Sequence, residues 1–270
     1  MSFLPSCTPE VCILTGYGLN CEQETQLAFT RAGARAHLHP INDVIATPTL
    51  LSDAQIFVIP GGFSYGDHTG AGNALACRLF DHLQEALRRF LTQDKLVLGI
   101  CNGCQILIRL GLMTNGPSIK QNIAITTNTH GRYECRWVSL KTTSKSPWLA
   151  GQSLFYLPVA HGEGRFVVPD QTLAELHTRH QIALRYVAED GTHAQGVFPA
   201  NPNGSVDDIA GLTDQTGRVL ALMPHPERAI YTHQRDDWPL RKALARRASK
   251  QLPQEADGMH LFKAAITYFS

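Results

Sequence analysis

The sequence predicts an α/β fold, with a mostly parallel sheet covered by helices on both faces and a small antiparallel elaboration. Up to Met113, short runs that are apolar at every position alternate with stretches of helical periodicity. Such runs are typical of parallel strands that are buried on both faces of a sheet. After Met113 the β-like runs become shorter and one pair has the pattern of a hairpin, which indicates the antiparallel part.

The first elements form a strand, helix and strand. Residues 11–15 are an apolar run that ends at a Gly-rich loop over residues 16–20. Residues 21–32 have a helical pattern, and Gly33 follows at the position that a helix C-cap favours. Residues 34–38 are the second predicted strand.

The next elements repeat this order. Residues 56–59 are the third predicted strand, which the Pro-Gly-Gly of residues 60–62 breaks. An amphipathic helix of about five turns is predicted next, because apolar side chains recur at helical spacing at Leu75, Leu79, Leu83, Leu87 and Phe90. Residues 96–100 are the fourth strand, and residues 102–110 are a short helix that Gly111 caps.

The C-terminal part is predicted to contain shorter strands and a last helix. Residues 136–140 and 182–187 have β-like patterns, and residues 209–223 predict a hairpin with the turn Asp-Gln-Thr-Gly. A final helix is predicted over residues 259–269. Because no internal repeat and no clear linker interrupts the chain, we expect a single domain over residues 1–270.

Composition excludes several classes of protein. The chain has 270 residues, of which 43% are hydrophobic and 17% charged, so disorder and a coiled coil are poor interpretations. The formal net charge of +1 provides no field that would recruit nucleic acid or an anionic membrane. Six basic residues lie between Arg235 and Lys250 without interleaved aromatic residues, and a solvated helix or a partner-facing arm is expected there.

The predicted location is the cytoplasm. The first residues lack the basic and apolar regions of a secretory signal, and the longest uncharged apolar stretch, residues 96–108, is too short to span a bilayer. The seven cysteines are an odd number in a chain that is large enough to fold without disulfides, so a reducing compartment is expected.

A candidate nucleophile lies where a predicted strand meets a helix, in Gly99-Ile-Cys-Asn-Gly103. This is a nucleophile elbow with cysteine in place of serine, in which small residues flank a tight turn. The amides of the following helix point at Cys101, and the helix dipole favours thiolate over thiol. The amide of Asn102 would face the oxyanion of a tetrahedral intermediate.

A second set of oxyanion donors is expected from another loop, because oxyanion holes usually combine two loops. Gly61, Gly62 and Phe63 follow the third predicted strand, and the glycines let the backbone approach a ligand. A simple tight turn is the alternative interpretation of this segment.

A cysteine nucleophile needs a base, and the base needs a group that orients it. His225 follows a predicted strand in Met223-Pro-His-Pro-Glu227, where the prolines would hold an extended backbone. In such a backbone residues two apart point the same way, so Glu227 is expected to bind one imidazole nitrogen of His225. Gln105 lies one helical turn after Cys101 and is predicted either to contact the substrate or to be an ordinary helix-surface amide.

Several cysteines and histidines allow other interpretations. Cys101-x-x-Cys104 matches a redox motif, but that chemistry would not need the flanking glycines, and Cys104 is expected to be a packed thiol. The remaining cysteines lack the paired spacing of zinc sites, so no metal is predicted. His161 lies in a Gly-rich turn and is expected to make a loop or partner contact rather than to act as a base.

Together these motifs resemble the class I (triad) glutamine amidotransferases, which have a flavodoxin-like fold and hydrolyse glutamine through a Cys–His–Glu triad. Within them the chain is similar to the glutaminase components of phosphoribosylformylglycinamidine synthases, enzymes of purine biosynthesis. The motifs that carry this narrower resemblance lie in family order at residues 18–24, 60–67, 99–103, 161–165, 201–205 and 223–228.

The resemblance implies the reaction, the site and the partners. Cys101, His225 and Glu227 would be catalytic, while Gly61, Gly62, Phe63, Asn102 and Gln105 would bind the oxyanion or the substrate glutamine. Ammonia would pass to a separate synthetase subunit that converts formylglycinamide ribonucleotide into its amidine. The resemblance also allows a small accessory subunit in the same complex. Because no Walker or GxGxxG pattern is present, this chain is expected to need no cofactor, with ATP and Mg²⁺ on the synthetase.

Three features depart from the family pattern. Cys104 replaces a bulky residue, residues 68–71 lack a larger residue and an arginine, and residues 231–256 lengthen the C-terminus. Two other functions remain open at this point. One is a cysteine peptidase or thiol hydrolase that acts alone, and the other is a non-catalytic binding subunit, which the intact Cys101, His225 and Glu227 disfavour.

Overall fold

The computed structural model describes residues 8–113 and 122–270. Its strands are β1 (Glu10–Thr15), β2 (Arg35–Pro40), β3 (Ile56–Ile59), β4 (Leu96–Ile100), β5 (Ala124–Thr127), β6 (Glu134–Thr142), β7 (Leu154–His161), β8 (Glu163–Val167), β9 (Ile182–Val187), β10 (Ile209–Thr213) and β11 (Val219–Leu222). Its α-helices are α1 (Glu22–Ala32), α2 (Ile41–Ala46), α3 (Thr49–Ser52), α4 (Asn73–Thr92), α5 (Asn102–Arg109), α6 (Asp170–Thr178), α7 (Trp238–Arg247) and α8 (Asp257–Thr267).

Nine strands form one mixed sheet in the order β2-β1-β3-β4-β11-β10-β9-β6-β7. The strands from β2 to β11 in this order are parallel. From β11 onwards each neighbouring pair is antiparallel. The antiparallel elaboration therefore continues the main sheet, and β5 and β8 add a separate two-stranded sheet.

Helices cover both faces of the parallel part, as the sequence predicts. The connection from β1 through α1 to β2 runs in one direction along the sheet, and that from β3 through α4 to β4 runs in the other. Because such crossovers are right-handed, α1 and α4 lie on opposite faces. Phe29 of α1 packs on Phe262 of α8 with ring centroids 4.9 Å apart, whereas Phe90 of α4 packs against Phe57 of β3.

The predicted α/β fold is confirmed. All the strands and helices predicted before Met113 are present, and the apolar stripe of α4 is buried. Gly33 adopts the left-handed conformation of a C-cap, and the predicted hairpin pairs β10 with β11. The short helices α2 and α3 were not predicted, because segments of this length carry too little periodicity to be distinguished from loops.

The C-terminal extension is an ordered part of the fold. The helix α7 lies within it and buries none of its side chains, in agreement with the predicted solvated helix. Arg235 anchors the segment before α7, with its guanidinium 4.4 Å from the ring centroid of Tyr156 and bonded to Asp237. Within residues 8–113 and 122–270, no helix combines the length and the apolarity that crossing a bilayer requires.

Candidate active site

The predicted elbow is present, with Cys101 between β4 and α5. Its backbone has φ 51° and ψ −104°, a conformation that non-glycine residues rarely adopt and that marks a strained turn. The Cys101 N–H donates to the Leu222 carbonyl at 2.9 Å, which ties the elbow to β11.

Two glycines are required because backbones meet closely at the elbow. A Cβ atom on Gly103 would lie 1.8 Å from the carbonyl oxygen of Ile59, and one on Gly99 would lie 2.6 Å from the carbonyl oxygen of Gly103. Larger residues would push the helix off the strand. The small residues that the sequence pattern contains are thus explained by close packing.

The Cys101 side chain is largely buried, with 6% of its surface exposed. Its thiol donates a weak hydrogen bond to the Ala160 carbonyl at 3.6 Å, near the end of β7. The neighbouring Cys104 is a free, fully buried thiol, and burial raises its pKa well above the usual range. This agrees with the expectation that Cys104 is a packed residue.

His225 and Glu227 form a buried pair. The Nδ1 atom of His225 lies 2.6 Å from Oε1 of Glu227, and the His225 N–H donates to the Pro158 carbonyl at 2.8 Å. The predicted extended backbone is wrong, since Pro226–Arg228 is a 3₁₀ turn. His225 itself precedes this turn, with φ −106° and ψ 88°, so the expected contact with Glu227 is made through a different backbone.

The electrostatic surroundings favour a charged imidazole. Burial by itself opposes the imidazolium, but the Glu227 carboxylate and the Cys101 thiol outweigh it and hold the pKa of His225 well above its usual range. The buried Nε2 atom of His225 has no hydrogen-bond partner within the described ranges. With Nδ1 bound to Glu227, this second nitrogen is the one available to the thiol and the substrate.

One of the predicted oxyanion donors is engaged elsewhere in this structure. The Phe63 N–H donates to the Gly18 carbonyl at 2.8 Å and is therefore occupied. The N–H groups of Gly62 and Asn102 make no hydrogen bond to any residue in 8–113 or 122–270. Gly61 contributes space instead, because a Cβ atom there would lie 2.8 Å from Cε1 of His225.

The side chains of Asn102 and Gln105 link the loops around the elbow. Asn102 accepts from the Ser64 N–H at 3.1 Å and donates to the Gln105 side-chain oxygen at 2.8 Å. Gln105 donates to the Glu163 carbonyl at 2.6 Å and is buried, so it is not a helix-surface amide. Its contact with the substrate stays a prediction, while its bond to Glu163 shows that it holds the start of β8.

His161 makes the expected contact with a loop, at Asn128 after β5, but it lies in a strand and not in a turn. It is the last residue of β7 and is buried, because the strand extends further than the Gly-rich sequence suggested. Its Nδ1 atom lies 3.1 Å from Asn128 Oδ1, and burial lowers its pKa to about 3. His161 is therefore neutral near pH 7 and is poorly suited to act as the base.

The other motifs of the sequence surround this site. Asn203 donates to the Gly164 carbonyl at 2.8 Å, so the turn at residues 201–205 supports β8. The Ala71 N–H donates to the Glu163 carboxylate at 3.3 Å. The segment at residues 68–71, which departs from the family pattern, thus also reaches the start of β8.

Two residues beside the pair were missed as functional candidates. Cys21 is fully buried, and its Sγ atom accepts from Nη2 of Arg228 at 2.9 Å. Ligand atoms of Cys21, His225 and Glu227 lie within 4.8 Å of one another. From the sequence, Cys21 was expected only to lack the paired spacing of a zinc ligand, and the motif at residues 18–24 was the signal available for its role.

This cluster is a poor cation site. The Arg228 guanidinium places a positive charge next to the Cys21 sulphur, where a metal ion would have to bind, and Glu227 Oε1 is already bound to His225. The absence of a metal remains a prediction of the sequence analysis, and the charge of Arg228 supports it.

A strained cysteine at a strand–helix elbow, beside a buried histidine–carboxylate pair, defines a thiol-dependent enzyme of acyl transfer on an α/β fold. Comparison with known proteins identifies the family. The sequence model of the family described as CobB/CobQ-like glutamine amidotransferase domain matches residues 8–269. The chain therefore belongs to this family.

Individual relatives agree with this assignment. Phosphoribosylformylglycinamidine synthase subunit PurQ of Methanococcus maripaludis is 43% identical over 267 residues, which cover 97% of this chain and 98% of the relative. PurQ of Dehalococcoides mccartyi is 38% identical over 258 residues, which cover 95% of this chain and 96% of the relative. The structure of PurLQS from Thermotoga maritima contains a chain with TM-score 0.70 and 28% identity, covering 97% of this chain and all of that one.

Proposed function

We propose that this chain is the glutaminase subunit of a phosphoribosylformylglycinamidine synthase, an enzyme of purine biosynthesis. It hydrolyses glutamine and passes ammonia to a partner synthetase, which uses ATP to convert formylglycinamide ribonucleotide into formylglycinamidine ribonucleotide. The observation that carries the proposal is the buried His225–Glu227 pair beside Cys101. The nearly full-length likeness to PurQ subunits supports the choice of substrate and partner.

The first half of the reaction forms a thioester. His225 first accepts the Cys101 thiol proton through Nε2, and the resulting thiolate attacks the side-chain amide carbon of glutamine beside the imidazolium. The N–H groups of Asn102 and Gly62 stabilise the oxyanion of the tetrahedral intermediate. When the C–N bond breaks, His225 returns the proton to the departing nitrogen and ammonia leaves.

The second half releases glutamate. Water attacks the γ-glutamyl thioester and gives a proton to His225, which then protonates the Cys101 sulphur as the C–S bond breaks. Glu227 holds the imidazole in one tautomer and stabilises the imidazolium that forms in both halves. These steps use groups of this chain and water alone.

The same proposal covers the partners, the cofactors and the location. We assign ATP and Mg²⁺ to the synthetase, and no resident cofactor to this chain, because the thioester chemistry needs none. We also propose one amidotransferase domain over residues 1–270 in a reducing, cytoplasmic setting. The free thiols of the described cysteines, Cys12, Cys21, Cys77, Cys101, Cys104 and Cys135, support a reducing compartment.

The test uses the complex of this chain with its synthetase. A Cys101→Ala variant should abolish amidine synthesis with glutamine but leave synthesis with added ammonia unchanged, because only the source of ammonia is lost. Thr143→Ala, remote from the elbow, is the control and should leave both activities intact. If Cys101→Ala keeps glutamine-dependent synthesis within about tenfold, which is about 1.4 kcal/mol of barrier, Cys101 is not the nucleophile.

A further inference from the structure

The surroundings of the His225–Glu227 pair contain a positive charge that the reaction does not use. The Nε atom of Arg228 lies 3.9 Å from Oε1 of Glu227, the same oxygen that lies 2.6 Å from His225 Nδ1. A guanidinium can form two parallel hydrogen bonds with a carboxylate. Arg228 is thus close enough to compete with the imidazole for Glu227 unless another group binds the guanidinium.

The Cys21 sulphur is the nearest polar partner of that guanidinium. Nη2 of Arg228 donates to Sγ at 2.9 Å, a shorter separation than the 3.9 Å between Arg228 and Glu227. The thiol hydrogen has a separate acceptor, Oδ1 of Asn20 at 3.3 Å. The sulphur lone pairs are therefore free to accept from Arg228.

The position of Cys21 is set by the backbone. It lies at the start of α1, where its carbonyl accepts from the N–H and the hydroxyl of Thr25 at 3.1 and 2.6 Å. Its N–H donates to the Gly61 carbonyl at 3.2 Å, in the loop against the imidazole. A Cβ atom on Gly61 would lie 2.8 Å from Cε1 of His225 and 3.2 Å from the Cys21 sulphur, so the missing side chain of Gly61 lets the sulphur and the imidazole lie close together.

We propose that Cys21 is a positioning residue of this reaction: its sulphur holds the Arg228 guanidinium away from Glu227 and so leaves the carboxylate to His225. The inference rests on the proposed glutaminase function. Cys21 touches no reacting atom, and it acts through Arg228 and Glu227 on the proton affinity of the imidazole.

Other charged or titratable groups facing this cluster come from several elements. His225 faces Cys101 at the elbow, Cys21 at the start of α1, His161 at the end of β7, and Tyr133 before β6. Arg228 faces Cys21 and Glu227, and also Glu24 on α1. Of these, the guanidinium is the positive group next to Glu227, so its position determines how much of the carboxylate charge reaches His225.

The first test is a Cys21→Ala variant in the complex with the synthetase. Without the sulphur, Arg228 moves onto Glu227 and His225 binds its proton less tightly. We expect the alkaline limb of kcat/KM for glutamine to move to lower pH by about one unit, or about tenfold in proton affinity. The KM for glutamine should stay within about twofold, because no group that binds the substrate is removed.

Matched variants separate this role from a structural one. Cys21→Ser keeps an acceptor for Arg228 and should restore most of the wild-type pH profile. Cys12→Ala removes another fully buried thiol, in β1, and should leave the profile unchanged. In an Arg228→Gln background, Cys21→Ala should no longer shift the limb, because the competing cation is gone.

The rate at which iodoacetamide alkylates Cys101, followed by the mass of its peptide, gives a readout that needs no glutamine turnover. In Cys21→Ala this rate should fall about tenfold near pH 7, because a less basic His225 sustains less thiolate. The proposal is overturned if Cys21→Ala matches the wild type, if Cys12→Ala shifts the profile equally, or if the shift persists with Arg228→Gln. A chain that hydrolyses no glutamine refutes the proposed function, while the alkylation profile still decides this inference.

Discussion

His225 Nδ1 lies 2.6 Å from Glu227 Oε1, and both side chains are buried. A buried carboxylate at this distance favours the protonated imidazole and fixes which nitrogen remains available to Cys101. The pair therefore has two effects on catalysis. It orients the base. It also raises the pH up to which the imidazolium persists, and this imidazolium protonates the departing nitrogen.

The first prediction removes the charge of the pair. In Glu227→Gln the burial that opposes the imidazolium is no longer compensated, so the pKa of His225 should fall from its raised position. The alkaline limb of kcat/KM for glutamine then moves to lower pH, and kcat falls by about a hundredfold. Glutamine turnover by the complex, measured across pH, provides both values.

The control for that experiment is Glu85→Gln, because Glu85 is an exposed residue on α4. It should leave the pH profile unchanged. A Glu227→Gln profile that overlays the wild type would show that the carboxylate does not set the charge of His225.

The second prediction concerns selectivity among the thiols. An electrophilic analogue of glutamine should label Cys101 and spare Cys104, because burial raises the pKa of the Cys104 thiol well above its usual range. Cys12 should also remain unlabelled, since burial raises its pKa to about 12. Peptide mapping by mass spectrometry identifies the adduct, and added glutamine should protect against labelling. A principal adduct on Cys104 or Cys21 would contradict the assigned nucleophile.

The third prediction concerns the stability of the elbow. Gly103→Ala would bring a methyl group to 1.8 Å from the Ile59 carbonyl oxygen, so α5 must move away from β3. We expect a loss of about 3 kcal/mol in the free energy of unfolding, measured by urea denaturation. Gly162→Ala is the matched control, because its added methyl group would meet its nearest neighbour at an ordinary 3.8 Å. Equal stabilities of the two variants would contradict the close approach of helix and strand.

The fourth prediction is that the synthetase activates this chain. The Phe63 N–H is bound to Gly18, so the oxyanion loop offers one fewer donor than it could. A partner that reorients this loop would complete the oxyanion hole. We expect kcat/KM for glutamine to rise by at least about tenfold when the synthetase and its substrates are added, within the usual range of coupling energies of about 1–3 kcal/mol.

The measurement compares the isolated chain with the complex at the same glutamine concentrations. A Cys101→Ala chain with the same synthetase is the control for hydrolysis by the partner. An isolated chain that is already at its full rate, with no response to the partner, would favour a hydrolase that acts alone.

The sequence by itself was sufficient for the features that depend on local patterns. The alternation of apolar runs and helical stripes predicted the α/β fold, because periodicity reports which face of each element is buried. The strand–helix junction at Cys101 and the motif around His225 are also local, since neighbouring small residues and prolines restrict the backbone directly. For the same reason the pairing of Glu227 with His225 could be expected, although the turn that achieves it could not.

The tertiary structure alone decided which distant residues meet. Cys21 and Arg228 lie 207 positions apart and come together because the loops after β1 and β11 end at the same edge of the sheet. His161 is buried because the end of β7 lies against the elbow, where Ala160 contacts Cys101. The Phe63 amide is occupied because its loop packs on Gly18. Such contacts depend on the order of strands in the sheet, which hydrophobic periodicity does not encode, and they determine the charge and the donors around Cys101.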